Sequence, residues 1–588
     1  MTYKAPVKDL LFNIAHIARW PQTPGTSAMP SCDLDVAEAV LEEFGRFCAE
    51  EIAPLNQSGD RVGARCEHGT VVTPPGFRDA YARFEAMGWQ GLQHPARYGG
   101  QDLPRALGAA ATEIINAANI SFALCPLLTD GAIDALLSFG SQDIKQTYLP
   151  KLIAGTWTGT MNLTEPQAGS DLALLRTRAE RDHDGIYKIT GTKIYITYGD
   201  HDLAENIIHL VLARTPDAPK GVKGISLFLV PKFLVGHDGR PGQRNAVKCQ
   251  SLEHKLGVKA SPTAVLQFEA ATGFLIGHEN AGLEYMFTMM NAARFAVGVQ
   301  GVAIGERAYQ LALSHAKGRL QGRPVDGISN EAVAIIHHPD VRRMLARMRA
   351  VTEGGRAMAA FAAGWQDLAQ HAQAPEQRAD AVAIAEFLVP LVKGFCSEMS
   401  VETTSAGIQI HGGMGFIEDT GAAQHYRDAR ILPIYEGTTA IQANDLVGRK
   451  TLRDGGATAR RIAAMIALTE QDLLQGSPSA QAIAARLSHA RAAFQSVVDH
   501  LVGIGTQDAN AAYAGAVPYL MLAGNLIAGW QLARSVIVAE AALAHGADPF
   551  MSAKVATALF YAQHILIETE LQRTRVIDGA ASLLDAPL

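Results

Sequence analysis

The sequence predicts an α+β protein that is mainly α, with a helical N-terminal domain, a central β-barrel-like domain, a helical bundle domain and an additional C-terminal helical domain. Two observations predict this architecture. Alanine-rich stretches with apolar residues at helical spacing fill most of the 588 residues. Between residues 156 and 278 they give way to short runs rich in β-branched residues, such as 207–213 and 225–230.

Turn residues divide the helical parts and set the expected domain bounds. Residues 1–32 form an N-terminal extension. Its apolar positions at 5–20 have helical spacing, and Pro21 and Pro24-Gly25 end that helical segment. We expect this extension to pack on the body of the protein. The predicted domains are an N-terminal helical domain at 33–155, a β domain at 156–278, a helical bundle domain at 279–450 and a helical C-terminal extension at 451–588, which is divided by a spacer at 475–478.

Composition excludes several classes of protein. The formal net charge is −7 with no basic stripe, so a nucleic-acid partner is not expected. The six cysteines have no CxxC or zinc-like spacing, which predicts a reducing cytoplasm, no disulfide framework and no metal site; they are Cys32, Cys48, Cys66, Cys125, Cys249 and Cys396. The apolar runs, such as 519–530, are short and broken by glycine, so we expect core helices and no membrane span.

One acidic residue stands in an unusual setting. Residues 429–439 are Ala-Arg-Ile-Leu-Pro-Ile-Tyr-Glu-Gly-Thr-Thr, and Pro433 and Gly437 predict a loop that re-enters a helix near Thr438. A carboxylate on a loop against apolar side chains is poorly solvated, so the pKa of Glu436 should rise towards neutrality. That suits a general base for a weakly acidic C–H group. Taken alone, the loop fits a solvated turn glutamate better.

Two further segments could contact an anionic or aromatic ligand. Residues 163–171, Leu-Thr-Glu-Pro-Gln-Ala-Gly-Ser-Asp, offer backbone N–H groups and hydroxyls, although an ordinary turn capped by Ser170 or Asp171 has the same composition. Residues 191–197 are predicted as a strand, in which Tyr195 and Thr197 share one face. A half-buried strand without a ligand is the alternative.

Two other features belong to the predicted helical bundle. Residues 409–416, Gln-Ile-His-Gly-Gly-Met-Gly-Phe, contain glycines that allow the backbone to approach a pyrophosphate, whereas His411 is expected to be a packed core histidine. Arg294 stands among Ala, Phe and Val on a helix, where burial requires a hydrogen-bonding partner. The alternative is an arginine whose charged end extends into water.

Taken together, these motifs resemble those of the acyl-CoA dehydrogenases, and the resemblance extends from about residue 80 to about residue 450 in the family's order. The added segments at both ends resemble the longer branch typified by the 3-methylmercaptopropionyl-CoA dehydrogenases. The resemblance implies FAD-dependent α,β-dehydrogenation of an acyl-CoA thioester to the trans-2-enoyl-CoA, with Glu436 as the α-proton base and transfer of the β-hydride to flavin N5. The implied substrate is 3-methylmercaptopropionyl-CoA or another short- or medium-chain acyl-CoA.

The resemblance also implies roles for individual residues. Substrate contacts are expected from Ser170, Arg294, Tyr435 and Gly437. Cofactor contacts are expected from Leu163, Thr164, Ser170, Tyr195, Ile196, Thr197, Arg319, Gln409, Gly412, Gly413 and Thr438. This chain departs from the family pattern in three places: Tyr195 replaces a tryptophan, the segment after Arg319 lacks a phenylalanine and is one residue shorter, and Ala440 replaces a glutamine.

The implied partners are an acyl-CoA substrate, an electron-transfer flavoprotein that reoxidises the flavin, and a second copy of the chain in a cytoplasmic homodimer. Two alternatives remain open from the residues. An acyl-CoA oxidase would use the same base and pass electrons to O₂. A non-catalytic scaffold would keep the fold without the chemistry.

Overall fold

The computed structural model describes residues 3–18, 33–67, 69–327, 329–505 and 507–587. The predicted end of the N-terminal segment at Pro21 and Pro24-Gly25, and the predicted free Cys32, lie outside these residues. Within them, the cysteines that the structure describes are unpaired, as the sequence predicts. No cluster of metal-ligating side chains occurs among the residues described.

The N-terminal part is helical with one short hairpin. Its helices are α1 (Val7–Phe12), α2 (Leu34–Phe47), α3 (Leu55–Val62), α4 (Phe77–Ala86), α5 (Arg105–Ala118), α6 (Ile120–Phe139) and α7 (Gln142–Ala154). The prediction of helix throughout residues 33–154 is wrong at β1 (Arg65–Glu67) and β2 (Thr70–Val72), which pair antiparallel. Gly69, with φ of 79°, allows the chain to reverse there, and three β-branched residues follow it.

The β domain is a seven-stranded sheet that curls on itself. Its strands are β3 (Trp157–Asn162), β4 (Arg178–Arg181), β5 (Ile186–Thr197), β6 (Asn206–Ala213), β7 (Ser226–Pro231), β10 (Val247–Leu252) and β11 (Thr263–Ile276). The order is β3-β6-β7-β11-β5-β4, and β10 also pairs with β11. Beside this sheet lies a small pair, β8 (Phe233–Val235) and β9 (Pro241–Arg244). A parallel bridge between Arg178 and Arg214 brings β4 back to the end of β6, which gives the predicted barrel-like form.

Three long helices form the centre of the bundle: α8 (Gly282–Gly318), α9 (Pro339–His371) and α10 (Pro375–His411). Two shorter helices follow, α11 (Ala422–Ala429) and α12 (Thr439–Val447). Helices α8 and α10 approach closely because Gly298 and Gly301 face the backbone of α10. A Cβ atom at Gly301 would lie 2.5 Å from the Cys396 carbonyl oxygen, and one at Gly298 would clash with the Val392 carbonyl.

The C-terminal extension is a second set of helices that shares one core with the bundle. Its helices are α13 (Ala457–Leu473), α14 (Pro478–Ile504), α15 (Ala509–Ala514), α16 (Ala516–Leu543), α17 (Pro549–His564), α18 (Glu568–Asp578) and α19 (Ala580–Leu584). Three helical stretches are long and apolar enough to cross a membrane: Ile120–Phe139, Ala516–Leu543 and Pro549–Asp578. Their most apolar windows are 83%, 67% and 39% buried in the protein, and the expected absence of a membrane span stays a prediction.

A buried cluster of charges, here called the Arg356 cluster, joins the separate helical parts. The Arg356 guanidinium contacts Asp9 at 2.6 Å, Glu113 at 2.5 Å and Glu306 at 2.8 Å. Lys554 of the C-terminal extension contacts Asp9 as well. The N-terminal helix therefore packs on the body of the protein, as the sequence predicts, and the C-terminal extension is connected to the same charges.

Candidate active site

The loop that carries Glu436 has the predicted form. Helix α12 begins at Thr439, and the Thr438 hydroxyl caps it by accepting a hydrogen bond from the Ile441 N–H at 3.3 Å. Glu436 itself has φ of 56° and Gly437 has φ of 90°. A left-handed conformation is unfavourable for a glutamate, so its surroundings must hold it in place.

Three buried donors hold the two carbonyls next to the carboxylate. The Glu436 carbonyl accepts from Arg294 Nε at 3.4 Å and from Gln442 Nε2 at 3.3 Å. The Gly437 carbonyl accepts from Lys393 Nζ at 2.5 Å and from Gln442 Nε2 at 3.4 Å. The Lys393 side chain is fully buried, and Arg294 is 6% exposed. These bonds fix the peptide planes on either side of Gly437 and thereby orient Glu436.

The surroundings change the ionisation of this group of side chains. Burial raises the pKa of the Glu436 carboxyl to about 7, although the charges of Arg294 and Lys393 oppose the change. This confirms the predicted rise towards neutrality, and it occurs while part of the residue still reaches solvent. Burial lowers the pKa of Lys393 to about 8, and the Glu436 charge limits that decrease. At neutral pH Glu436 is thus suited to accept a proton.

Arg294 is buried beside the loop, and its charged end does not extend into water. Its Nη1 donates to Asn291 Oδ1 at 3.3 Å, and the guanidinium lies 5.9 Å from the centre of the Phe287 ring. Burial lowers the pKa of Arg294, while Asp445 and Glu436 oppose the change. Arg294 thus has the hydrogen-bonding partners that a buried arginine requires, as the sequence analysis predicts.

A cavity of about 340 Å³ lies among α5, α6 and α8, close to the loop. Hydrogen bonds connect its wall to the loop at two places. Wall residue Asn291 bonds to Arg294, and wall residue Asn116 accepts from Gln300 at 2.8 Å. Gln300 in turn accepts a hydrogen bond from the Tyr435 hydroxyl. The cavity is large enough for a short chain whose reactive end lies near Glu436.

The segment at 163–171 and strand β5 lie side by side, as a shared ligand site requires. The Ile194 N–H donates to the Thr164 carbonyl at 3.0 Å, and Lys193 Nζ donates to the Leu163 carbonyl at 3.0 Å. Lys193 is fully buried and pairs with Glu165 at 2.9 Å. Burial opposes ionisation of Glu165, yet Lys193 and Thr177 lower its pKa to about 2. This charge pair fixes Leu163 and Thr164 against the strand.

The surface next to that loop exposes the ring of Tyr195. Tyr195 is 61% exposed with φ of 60°, at a bulge where Lys193 pairs with Leu266 and Ile196 with Ala264. Thr197 is half-buried on the same side of the strand. The Ile196 side chain points into the core of the β domain with 2% exposure, and the expected contact of this residue with the cofactor stays a prediction.

Ser170 and Asp171 follow the loop on the surface. Ser170 is exposed, and Asp171 Oδ1 accepts from the Ala173 N–H at 2.9 Å. The capped-turn alternative therefore describes Asp171.

The remaining predicted cofactor residues meet at the ends of α8 and α10. His315 and His411 stack there with ring centres 4.3 Å apart, next to exposed Arg319 and exposed Gln409. His411 is a buried core histidine, as predicted, and shares a 2.7 Å hydrogen bond between its Nδ1 and the Gly407 carbonyl. A Cβ atom at Gly412 or Gly413 would meet no atom within 4 Å, so this surface is open to a ligand.

The sequence analysis did not identify Lys193, Lys393 or Gln442. A detectable feature was available for Lys393, which interrupts the apolar run at 391–395, whereas Lys193 only precedes the apolar residues at 194–196. A lysine in such a position must be paired or neutral when buried. Gln442 lacks any comparable feature, because a polar residue in the first turns of a helix is ordinary.

Four family models match successive parts of the chain. They are the acyl-CoA dehydrogenase N-terminal domain at residues 35–156, the middle domain at 160–271, the C-terminal domain at 280–451 and the acetyl-CoA dehydrogenase C-terminal-like domain at 458–587. These matches extend over nearly all of the chain, including the C-terminal extension.

Two relatives match over almost their whole length. The chain is 62% identical to the 3-methylmercaptopropionyl-CoA dehydrogenase of Ruegeria pomeroyi, over 100% of both chains. It is 35% identical to a broad-specificity linear acyl-CoA dehydrogenase of Mycobacterium tuberculosis, over 96% of this chain and 95% of that one. Neither the oxidase nor the scaffold alternative gains support from these relatives.

Solved structures share the fold. An acyl-CoA dehydrogenase of Bacillus anthracis complexed with FAD has a TM-score of 0.74 at 22% identity, covering 92% of this chain and 88% of that one. The Caenorhabditis elegans protein ACDH-11 in complex with C11-CoA has a TM-score of 0.76 at 20% identity, covering 98% and 96%. On the evidence of the family models and the relatives, the chain is an enzyme that belongs to the acyl-CoA dehydrogenase family of FAD-dependent oxidoreductases, in the longer form with a C-terminal helical extension.

Proposed function

We propose that this enzyme oxidises 3-methylmercaptopropionyl-CoA, or another short- or medium-chain acyl-CoA, to the trans-2-enoyl-CoA. The observation that carries the proposal is the Glu436 carboxyl, whose pKa burial raises to about 7 in a loop that hydrogen bonds connect to the wall of a cavity of about 340 Å³. The 62% identity to the Ruegeria pomeroyi dehydrogenase supports the choice of acyl group.

In this proposal Glu436 removes the α-proton of the thioester. The α C–H is a weak acid, so a base with a pKa near that of the medium and a fixed orientation is needed. Arg294 and Lys393 favour the ionised carboxylate that starts the reaction, and the hydrogen bonds to the loop carbonyls keep it aimed. FAD, when bound, supplies the acceptor for the β-hydride. Tyr435 and Gly437 flank the base and would contact the substrate with Arg294 and Ser170.

The proposed flavin site extends over two surfaces. Leu163, Thr164, Tyr195, Thr197 and the backbone of Ile196 would contact the ring, supported by the exposure of Tyr195 and the ordered loop beside it. Ser170 and Thr438 would contact its polar parts. The open surface at the ends of α8 and α10 would serve the cofactor of a second subunit through Arg319, Gln409, Gly412 and Gly413. The exposed Met414, Phe416 and Leu320 there support contact with another copy of the chain.

The lining of the cavity supports a short acyl group. Asp130 lies in its wall and accepts from Gln90 Nε2 at 2.6 Å, and its Oδ1 lies 2.7 Å from His94 Nε2. Asp134 and Arg105 pair at 3.4 Å in the same wall. A long hydrocarbon tail would remove these charges from water without replacing their hydrogen bonds, which costs free energy.

We also propose a cytoplasmic homodimer that passes electrons to an electron-transfer flavoprotein, with no membrane span. The burial of the apolar windows of α6 and α16 supports core helices in both cases. The five domains predicted above, at 1–32, 33–155, 156–278, 279–450 and 451–588, are proposed with the same bounds.

Rapid mixing of the FAD-loaded enzyme with acyl-CoA under anaerobic conditions tests the function. Wild-type enzyme should lose its flavin absorbance with 3-methylmercaptopropionyl-CoA and with butyryl-CoA. Glu436→Gln should bind FAD and both thioesters, yet keep the flavin oxidised. Loss of absorbance at a near wild-type rate in Glu436→Gln would remove this residue from the role of base.

A further inference from the structure

Lys393 is a buried cation with a single direct contact to the base loop. It lies in the middle of α10, it is 0% exposed, and its Nζ donates to the Gly437 carbonyl at 2.5 Å. A fully buried ammonium is unfavourable unless hydrogen bonds and nearby negative charge compensate for lost water. Here the base loop provides both, through the Gly437 carbonyl and the charge of Glu436.

Other charged groups face this site from each element packed around it. Arg294 approaches from α8, and Glu398 lies on α10 itself, where it accepts from the Thr439 hydroxyl at 2.5 Å. Asp445 on α12 pairs at 3.1 Å with Arg449, which lies just after that helix. Their mutual pairing leaves Glu436 as the acid whose charge most strongly affects Lys393.

We propose that Lys393 is a positioning residue with two separable effects on Glu436. The first is geometric, because its hydrogen bond fixes the carbonyl that directly follows Glu436 and so maintains the left-handed loop. The second is electrostatic, because its charge favours the ionised form of the carboxyl. The inference rests on the proposed role of Glu436 as the base.

Gln442 provides a matched comparison for the first effect alone. Its Nε2 donates to the Glu436 carbonyl at 3.3 Å and to the Gly437 carbonyl at 3.4 Å, and the residue is 1% exposed. It therefore holds the same two peptide groups without carrying a charge. Removing Gln442 should disturb the geometry and leave the ionisation of Glu436 unchanged.

The experiment compares Lys393→Met, Lys393→Arg, Gln442→Met and wild type. Each FAD-loaded enzyme is mixed with butyryl-CoA, and the rate of flavin reduction is measured between pH 5.5 and 9. In Lys393→Met the midpoint of the pH profile should rise by about one unit, since loss of a nearby opposite charge disfavours the carboxylate. Its plateau should also fall by about 10- to 100-fold through misplacement of the base. Gln442→Met should lower the plateau at an unchanged midpoint, and Lys393→Arg should keep the midpoint.

Several results would overturn the inference. If the pH profile of Lys393→Met has the wild-type midpoint, the electrostatic effect is refuted. If the maximal rate of flavin reduction is that of wild type in both Lys393→Met and Gln442→Met, the geometric effect is refuted. If Lys393→Met does not fold, Lys393→Gln, which keeps an N–H donor and loses the charge, takes its place, and a wild-type midpoint in Lys393→Gln would refute the electrostatic effect. Equilibrium titration with butyryl-CoA, which should give similar Kd values throughout, separates these effects from lost binding. Absence of flavin reduction in wild type with every acyl-CoA would overturn the proposed function and, with it, this inference, whereas wild-type reduction with unaltered Lys393 variants would overturn this inference alone.

Discussion

Replacing Arg356 by methionine should destabilise the whole helical body. The guanidinium is 3% exposed and contacts three carboxylates, from α1, α5 and α8. Methionine fills a similar volume and leaves Asp9, Glu113 and Glu306 buried with less compensating charge. Breaking a buried ion pair by removing one partner costs about 3–5 kcal/mol, which corresponds to about a 10²- to 10⁴-fold change in the folding equilibrium.

Urea-induced unfolding at pH 8 and pH 5.5, followed by tryptophan fluorescence, measures this loss. Burial raises the pKa of Glu113, and removal of Arg356 should raise it further, so the defect should be largest at pH 8 and shrink as protons neutralise the carboxylates. Arg46→Met is the matched control, because the Arg46 side chain is 58% exposed and water screens its pairs with Glu43 and Glu50, so they should contribute little to stability. A loss in Arg356→Met no larger than in Arg46→Met, or one independent of pH, would refute the reasoning.

Three further predictions concern the site. Flavin reduction in wild type should increase as pH rises through about 7, because Glu436 must be ionised to accept a proton, and a rate that is flat from pH 6 to 8 would contradict the raised pKa. Gly437→Ala should reduce the rate of flavin reduction about 10²-fold, because φ at Gly437 is 90° and the added Cβ would lie 2.7 Å from Gln442 Nε2. An unchanged rate would show that the loop accommodates the added methyl group without moving Glu436. Asp130→Asn should raise kcat/KM for decanoyl-CoA relative to butyryl-CoA in a steady-state dye assay, because it removes a charge from the cavity wall. An unchanged ratio of the two kcat/KM values would show that Asp130 does not select for short acyl chains.

The sequence predicts the elements whose periodicity is strong and local. The long helices, strands β3, β6 and β7, and the loop at Glu436 fall where apolar spacing, β-branched runs, Pro433 and Gly437 indicate. It does not predict β11, although the burial of residues 263–268 alternates strictly, because the polar Gln267 and Thr263 resemble a loop by composition. The β1–β2 hairpin is too short for periodicity to detect.

Long-range contacts account for the parts of the site that the sequence does not predict. Arg294 and Glu436 are identified from motifs, yet their neighbour Lys393 is 44 residues from Gly437 along the chain. No local pattern indicates which carbonyl a buried lysine will contact. The same holds for Ile196, whose place in a strand is predicted but whose side chain points into the core because of the bulge at Tyr195.

The glycine contact between α8 and α10 has a consequence for how such an enzyme can diversify. Arg294 lies one turn before Gly298, and Lys393 directly follows Val392, against whose carbonyl Gly298 rests. The direct contact between the backbones of α8 and α10 thus sets the distance between Arg294 and Lys393, the two cations that flank Glu436. The walls that would receive the acyl tail lie on α5 and α6 as well and are built from side chains. Substitutions there can alter which thioesters fit while the proton-transfer apparatus keeps its dimensions.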